Sequence, residues 1–247
     1  MPEIWFISGP PFDTAIWRAV EARVQTLGFS AHSWACLTAG SGDIAEELAR
    51  LSTDLDGSTG SVILVGHGSA LPLVKAASSH PAVTGVVLSN GPGAKLDRLN
   101  RLWSRLFSMP QPLRQGLLGP TLMMPFLQSS VGLRRTVVNP YVMDHDTVVA
   151  ICEPIFSDAD RLKRAAVYFK SLSSLPDISL GEDVQILLCW GDSDPLGADT
   201  YSVIDQDGAS NIAHSPIPGG RFMHPVERPW ELADRVANWA NNWPTTT

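Results

Sequence analysis

A cluster of small residues follows an apolar run near the end of the first quarter of the chain. Residues 62–65 form a short apolar run, "GHGSA" occupies 66–70, and residues 70–78 then have helical spacing. Large side chains would collide in so sharp a strand-to-helix bend, so Gly66 and Ala70 suit it. A strand that passes directly into a helix is the repeating unit of a parallel α/β sheet.

The same alternation extends over most of the sequence. Apolar runs with β-type composition alternate with segments of helical period, which predicts a mostly parallel, doubly wound sheet with helices on both faces. We assign residues 1–92 and 181–247 to this α/β core. The predicted strands are 4–7, 29–36, 62–65, 83–88, 184–190 and 212–217, and the predicted helices are 17–27, 43–51, 70–78, 198–204 and 229–243.

The rhythm changes over residues 93–180, where no convincing strand appears. We interpret this segment as a helical cap inserted into the core. Apolar residues 96, 99, 103, 106 and 107 follow one side of a helix whose other side is basic, and "TLMMPFLQ" adds further apolar material. These faces either pack on one another or line a pocket, for which methionine is well suited. The candidate lining residues are Trp103, Met123, Met124 and Phe126.

Composition restricts the classes of partner. The net charge of −7 gives no electrostatic footprint for nucleic acid or for an anionic membrane, so we expect neither. A mean hydropathy of +0.04 is compatible with an apolar pocket, and we expect a small apolar molecule as partner. The sequence does not decide between a monomer and a homodimer.

No leader pattern precedes the first strand, which favours a cytoplasmic location. The three scattered cysteines predict buried, inert thiols.

The order of motifs resembles the α/β-hydrolase fold family over essentially the whole chain. "GHGSA" is similar to the family's nucleophile elbow, "WGDSDP" (190–195) to the turn that carries its acid, and "IPGGRFMHPVERP" (217–229) to the region of its histidine. The resemblance implies an α/β-hydrolase fold with a cap. It also implies a site built at the elbow, the acid turn and the last loop.

The elbow departs from the family pattern at its centre. In the register Gly66, His67, Gly68, Ser69, Ala70, the nucleophile position falls on Gly68, which carries no nucleophile. Ser69 lies one residue later, in the first turn of the helix, where a hydroxyl more often bonds to backbone than attacks a substrate. His67 is structural in many members of the family.

The acid and the histidine are preserved unequally. Asp194 matches the position of the triad carboxylate, although a turn residue before Pro195 is an equally good interpretation, and Asp192 suits a turn better. In the register set by "ERP" (227–229), the family's histidine position falls on Phe222. His224 lies two residues closer to that anchor. It is either a loop histidine without a chemical role or, if it reaches Asp194, a general base.

The oxyanion region is altered as well. The resemblance places one donor N–H after the first core strand, at Ser8, Gly9 and Pro10, but proline has no N–H. Loss of one such donor removes on the order of 3 kcal/mol of transition-state stabilisation. Together with Phe222, these residues define the candidate pocket region beside the elbow.

These departures favour an atypical enzyme without a serine nucleophile. Family relatives include triad-less members, so we expect an isomerase, epimerase, cyclase or lyase in which Asp194 or His224 takes a proton. The alternatives are a ligand-binding or assembly protein without catalysis, and a serine esterase that uses a displaced Ser69, His224 and Asp194.

We predict no cofactor, because no nucleotide-binding glycine motif occurs. We also predict no metal, because "MDHDT" (143–147) suits a helix start at Asp146 better than a set of metal ligands.

Overall fold

A computed structural model describes residues 1–91, 98–172, 180, 184–194 and 211–242. The predicted helix 198–204 and both predicted boundaries of the cap, at 92/93 and 180/181, involve positions outside these residues.

The sheet has six strands in the described residues, and every pairing between them is parallel. Their order is β2-β1-β3-β4-β5-β6, so the chain starts near one edge, crosses back once and then proceeds outward. The strands are β1 (Glu3–Ser8), β2 (Ala31–Ala35), β3 (Val62–His67), β4 (Val83–Ser89), β5 (Gln185–Cys189) and β6 (Ile212–His214). This arrangement confirms the predicted mostly parallel, doubly wound sheet. The last predicted strand is shorter than expected, with Ile217 forming only an isolated bridge to Gly191.

Ten α-helices accompany the sheet in the described residues. The core helices are α1 (Arg18–Thr26), α2 (Ile44–Asp56), α3 (Leu71–Ala77), α9 (His224–Glu227) and α10 (Pro229–Asn241). Between β4 and β5 lie α4 (Arg98–Phe107), α5 (Gln111–Leu118), α6 (Pro120–Gln128), α7 (His145–Phe156) and α8 (Ala159–Ser171). We call residues 98–172 the cap segment.

Short polar side chains fix where several helices begin. Asp43 accepts the Ala45 N–H at the start of α2, and Asp158 accepts the Asp160 and Arg161 N–H groups at the start of α8. Helix α7 is capped by Asp144 and begins at His145, one residue before the predicted start at Asp146. The sequence offers two aspartates there, and only Asp144 is placed to accept the Thr147 N–H, at 2.8 Å.

The core is continuous from the sheet into the cap segment. Strands β3 and β4 are buried along almost their whole length, as expected for a parallel sheet covered on both faces. Cys36, Cys152 and Cys189 are buried and unbridged, and burial raises the pKa of the Cys189 thiol to about 12. Within the described residues, no helix is both long and apolar enough to cross a bilayer.

Candidate functional site

The elbow has the backbone geometry of a tight strand-to-helix turn. Gly68 follows β3 with φ of +59°, a conformation that an L-residue adopts only with strain, and its N–H donates to the Asn90 carbonyl at 2.8 Å. A Cβ at Gly66 would lie 2.7 Å from Val74 Cγ2 on the following helix. The small residues at this turn are therefore required by the bend itself.

An aromatic side chain covers the centre of the elbow. A Cβ placed on Gly68 would lie 3.3 Å from Phe222 Cζ, and the Phe222 ring is centred 4.7 Å from the His67 ring. Sequence register predicted Phe222 at the family's histidine position, and the structure brings it directly to the glycine that takes the nucleophile position. A glycine and a phenyl ring thus meet where the family pattern has a nucleophile and a base.

Ser69 is bound to the loop that follows β1. Its hydroxyl donates to the Pro10 carbonyl, and its own carbonyl accepts the Tyr168 hydroxyl at 2.8 Å. Gly9 allows this close approach, because a Cβ there would lie 2.7 Å from both Ala70 N and Ser69 Oγ. The family pattern places an N–H donor in this loop. Here the loop offers the Pro10 carbonyl instead, and the Ser69 hydroxyl already donates to that carbonyl. Ser8, also buried, donates to the Trp34 carbonyl at 3.3 Å.

His224 is hydrogen-bonded to a serine that the sequence analysis did not single out. His224 Nδ1 lies 3.1 Å from the Arg221 carbonyl, which can only accept, so Nδ1 carries the proton and Nε2 is the acceptor. Ser89 Oγ lies 2.9 Å from Nε2 and donates to it. Both side chains are fully buried. The result is a serine–histidine pair at the end of β4, one strand away from the elbow.

His67 completes this buried cluster. It is the register partner of Ser89 across β3 and β4, and its Nδ1 donates to the Ser89 carbonyl at 3.0 Å. Its Nε2 has no hydrogen-bond partner in the described part of the chain. The rings of His67 and His224 meet edge to face with centroids 5.8 Å apart. Carboxyl ends of adjacent parallel strands lie side by side, so the one signal for Ser89 was its place at the end of a buried strand next to the elbow.

Burial keeps both imidazoles neutral near pH 7. Desolvation lowers the pKa of His224 to about 4, partly opposed by the hydrogen bond to the Arg221 carbonyl. Desolvation and the neighbouring His224 together hold the pKa of His67 well below its ordinary value. A neutral His224 that accepts from a serine hydroxyl has the polarity of a nucleophile–base pair, but no solvent reaches either group.

Asn90 links the Asp194 carboxylate to the backbone of its own turn. Asn90 Nδ2 donates to the Asp194 carboxylate, and Asn90 Oδ1 accepts the Gly191 N–H at 2.8 Å. Both ring nitrogens of His224 are engaged by Ser89 and Arg221. Consecutive residues, Ser89 and Asn90, therefore bind the histidine and the acid separately.

The cap segment contains an apolar cavity of about 450 Å³. Three of the four candidate lining residues, Trp103, Met123 and Phe126, line this cavity. Met124 is buried but does not line it. Successive helical residues point about 100° apart, so the stripe of α6 that faces the cavity leaves Met124 on another face. The remaining lining residues are Phe12, Leu102, Leu106, Leu117, Leu118, Leu122, Leu127, Val131, Gly132, Leu133 and Thr136.

Phe12 stands between this cavity and the buried cluster. It lines the cavity, and its ring is centred 6.3 Å from the rings of both Phe222 and His67. Phe12 therefore lies both in the cavity lining and beside the aromatic side chains that pack at the elbow.

The chain is similar to known proteins in structure but not in sequence. The sequence matches no protein-family model and no curated protein. Solved structures do match. A bromoperoxidase from Bacillus anthracis superposes with a TM-score of 0.73 at 14% identity, over 98% of this chain and 92% of its own. For the haloalkane dehalogenase DbeA from Bradyrhizobium elkani, the TM-score is 0.73 at 15% identity, over 97% and 90%.

An esterase from Thermogutta terrifontis matches with a TM-score of 0.64 at 17% identity, over 98% of this chain and 90% of its own. These proteins have the α/β-hydrolase fold, and this chain has it too. Identities this low carry the fold and nothing about the reaction.

Proposed function

We propose that this α/β-hydrolase-fold protein binds a neutral, apolar small molecule in the cavity of the cap segment and performs no acyl transfer at its elbow. The cavity is the observation that carries the proposal. Its volume of about 450 Å³ is within the range of small-molecule sites. At ~30 Å³ per atom, the share of a liquid water molecule, it would hold roughly 15 non-hydrogen atoms.

The lining indicates the chemistry of the ligand. Among the described lining residues, only Thr136 and Trp103 carry a hydroxyl or N–H group on the side chain, and the Thr136 hydroxyl donates to the Leu133 carbonyl at 2.5 Å. None of these described lining residues carries a charge that could compensate the desolvation of an ionised ligand. A hydrocarbon-like or terpene-like molecule, with at most one hydrogen-bond donor aimed at Thr136, fits these properties.

The elbow supports the second half of the proposal. Gly68 has no nucleophile, Ser69 donates its hydroxyl to the Pro10 carbonyl, and Phe222 covers the turn. An acyl-transfer step would need a free hydroxyl, a base within reach of it and an oxyanion donor. Among the described residues, the Ser69 hydroxyl is hydrogen-bonded to the Pro10 carbonyl and to no base, and proline at position 10 lacks one N–H donor, which supports the absence of acyl transfer.

A proton-transfer enzyme is the second candidate, and it is the one that the sequence favoured. The observation in its favour is the contact between Ser89 and His224 at 2.9 Å. Here the neutral imidazole would accept a proton from a bound substrate, as in an isomerase, epimerase, cyclase or lyase. Full burial of both groups makes binding the better-supported function.

A titration with the neutral fluorescent probe N-phenyl-1-naphthylamine tests the proposal. Leu122→Glu places a carboxylate at the edge of the cavity and should weaken probe binding at least tenfold. Leu113→Glu is the matched control, because Leu113 is an equally exposed leucine of the cap segment that does not line the cavity. Equal affinity of the two variants would refute binding in this cavity. Turnover of a cognate ligand that is lost in His224→Gln would favour the second candidate.

A further inference from the structure

The charges of the cap segment are distributed very differently from those of the whole chain. Residues 98–143 contain six arginines and neither aspartate nor glutamate, although the chain has a net charge of −7. The negative net charge of the whole chain led us to expect no binding to an anionic membrane. It does not, however, describe this strongly basic stretch. Among the arginines whose side chains the structure describes, Arg105, Arg134 and Arg135 are exposed.

The same stretch carries most of the exposed apolar side chains. The described residues include eleven large hydrophobic side chains that are exposed, and eight of them lie between residues 98 and 143. Five of the eight also line the cavity, so they surround one opening and form a single patch. These five residues, which we call the cap rim, are Leu102 (50% exposed), Leu117 (46%), Leu122 (55%), Phe126 (45%) and Val131 (61%).

Basic groups lie close to this rim in the chain. Arg105 is one helical turn beyond Leu102 on α4, and residues three apart on a helix are neighbours on its surface. Arg134 and Arg135 directly follow Leu133, which lines the cavity. Arg114 lies between Leu113 and Leu117 on α5 and lines a second cavity of about 440 Å³ together with Lys163 and Lys170.

We infer that the cap rim is a docking surface for an anionic lipid bilayer. A mostly helical segment with exposed leucine and phenylalanine, several arginines and no acidic residue within its own sequence has the composition of an interfacial membrane contact. The arginines would lie at the level of the headgroups, while the rim side chains enter the acyl boundary. Long arginine side chains can reach the headgroups from such a position. Charge complementarity selects a lipid surface over a second copy of this chain, since two copies would bring arginines of like charge together.

Docking in this orientation would place the opening of the apolar cavity against the bilayer. An apolar ligand could then pass between lipid and cavity without crossing water. The docking inference does not depend on the proposed ligand, because vesicle binding is measured without ligand and probe binding without vesicles.

Vesicle sedimentation of the full chain tests the inference. The protein should bind vesicles of phosphatidylcholine mixed with phosphatidylglycerol, bind pure phosphatidylcholine much more weakly, and lose affinity as salt is raised. Each arginine near an anionic surface contributes about fivefold to partitioning, so Arg134→Gln should lower binding about fivefold. Arg18→Gln, which removes an exposed arginine of α1, should leave it unchanged.

A second pair of variants tests the apolar side chains of the cap rim. Phe126→Ser should weaken vesicle binding, while Trp230→Ser, at an exposed aromatic residue outside the cap segment, should not. Binding that does not discriminate between the two vesicle types, or equal loss in both members of a pair, would overturn the inference. A dimer in light scattering that Phe126→Ser dissociates, without vesicle binding, would also overturn it and assign the rim to a second copy.

Discussion

Acid should destabilise this protein through His224 before its carboxylates titrate extensively. In the folded protein, burial lowers the pKa of His224 to about 4, against an ordinary value of 6.5. As pH falls below 6.5, His224 becomes protonated in the unfolded chain but stays neutral in the folded chain. The free energy of unfolding therefore decreases. The stabilisation present above pH 6.5 is lost progressively down to about pH 4.

The size of the effect follows from the two pKa values. Between about pH 7.5 and pH 5, His224 alone should remove about 2 kcal/mol from the free energy of unfolding, and the loss approaches about 3 kcal/mol below pH 4. His67 acts in the same direction, because its pKa is also lowered by burial.

Urea denaturation at a series of pH values measures this loss. His224→Gln removes the titrating group, so the variant should lose about 2 kcal/mol less than the wild type between those two pH values. Comparing pH slopes rather than absolute stabilities separates this effect from any packing cost of the substitution. His145→Gln, which removes an exposed imidazole from α7, should keep the wild-type slope. Identical slopes in His224→Gln and wild type would refute a buried, neutral His224.

Three further substitutions test the geometry around the elbow by urea denaturation. Ser89→Ala leaves His224 Nε2 buried without a donor and should cost about 1–3 kcal/mol, against less than about 0.5 kcal/mol for the exposed Ser30→Ala. Gly68→Ser forces a side chain into φ of +59° beside Phe222, should cost about 1 kcal/mol, and should create no esterase activity. Gly9→Ala places a methyl group 2.7 Å from Ala70 N and should cost about 2 kcal/mol, whereas Gly60→Ala meets nothing within 4 Å and should be nearly neutral. A control that costs as much as its partner would contradict the assigned contact.

Local sequence signals were sufficient for the sheet and the elbow. Apolar runs and their turns depend on neighbouring residues, so strands such as β3 and β4 were predicted within one or two residues. The start of α7 was misplaced because Asp144 and Asp146 are both good caps, and only three-dimensional geometry selects one.

Contacts between distant residues were not accessible in the same way. Ser89 and His224 are separated by 135 positions, and nothing in the local sequence of either indicates the other. Asp194 was assigned by resemblance to a triad position, but the neighbouring Asn90 binds it. The exposed cap rim was missed for a different reason. Whole-chain charge averages a basic stretch with an acidic remainder, so it conceals a local surface.

Intact-mass spectrometry of one sample, native and denatured, after incubation with a reactive fluorophosphonate and the apolar probe tests the central proposal most directly. We expect an unchanged mass under denaturing conditions, because the Ser69 hydroxyl donates to Pro10 and the Ser89 hydroxyl is fully buried, together with bound probe in the native spectrum. A covalent adduct that disappears in Ser69→Ala or Ser89→Ala would contradict it and identify a serine hydrolase with a displaced nucleophile.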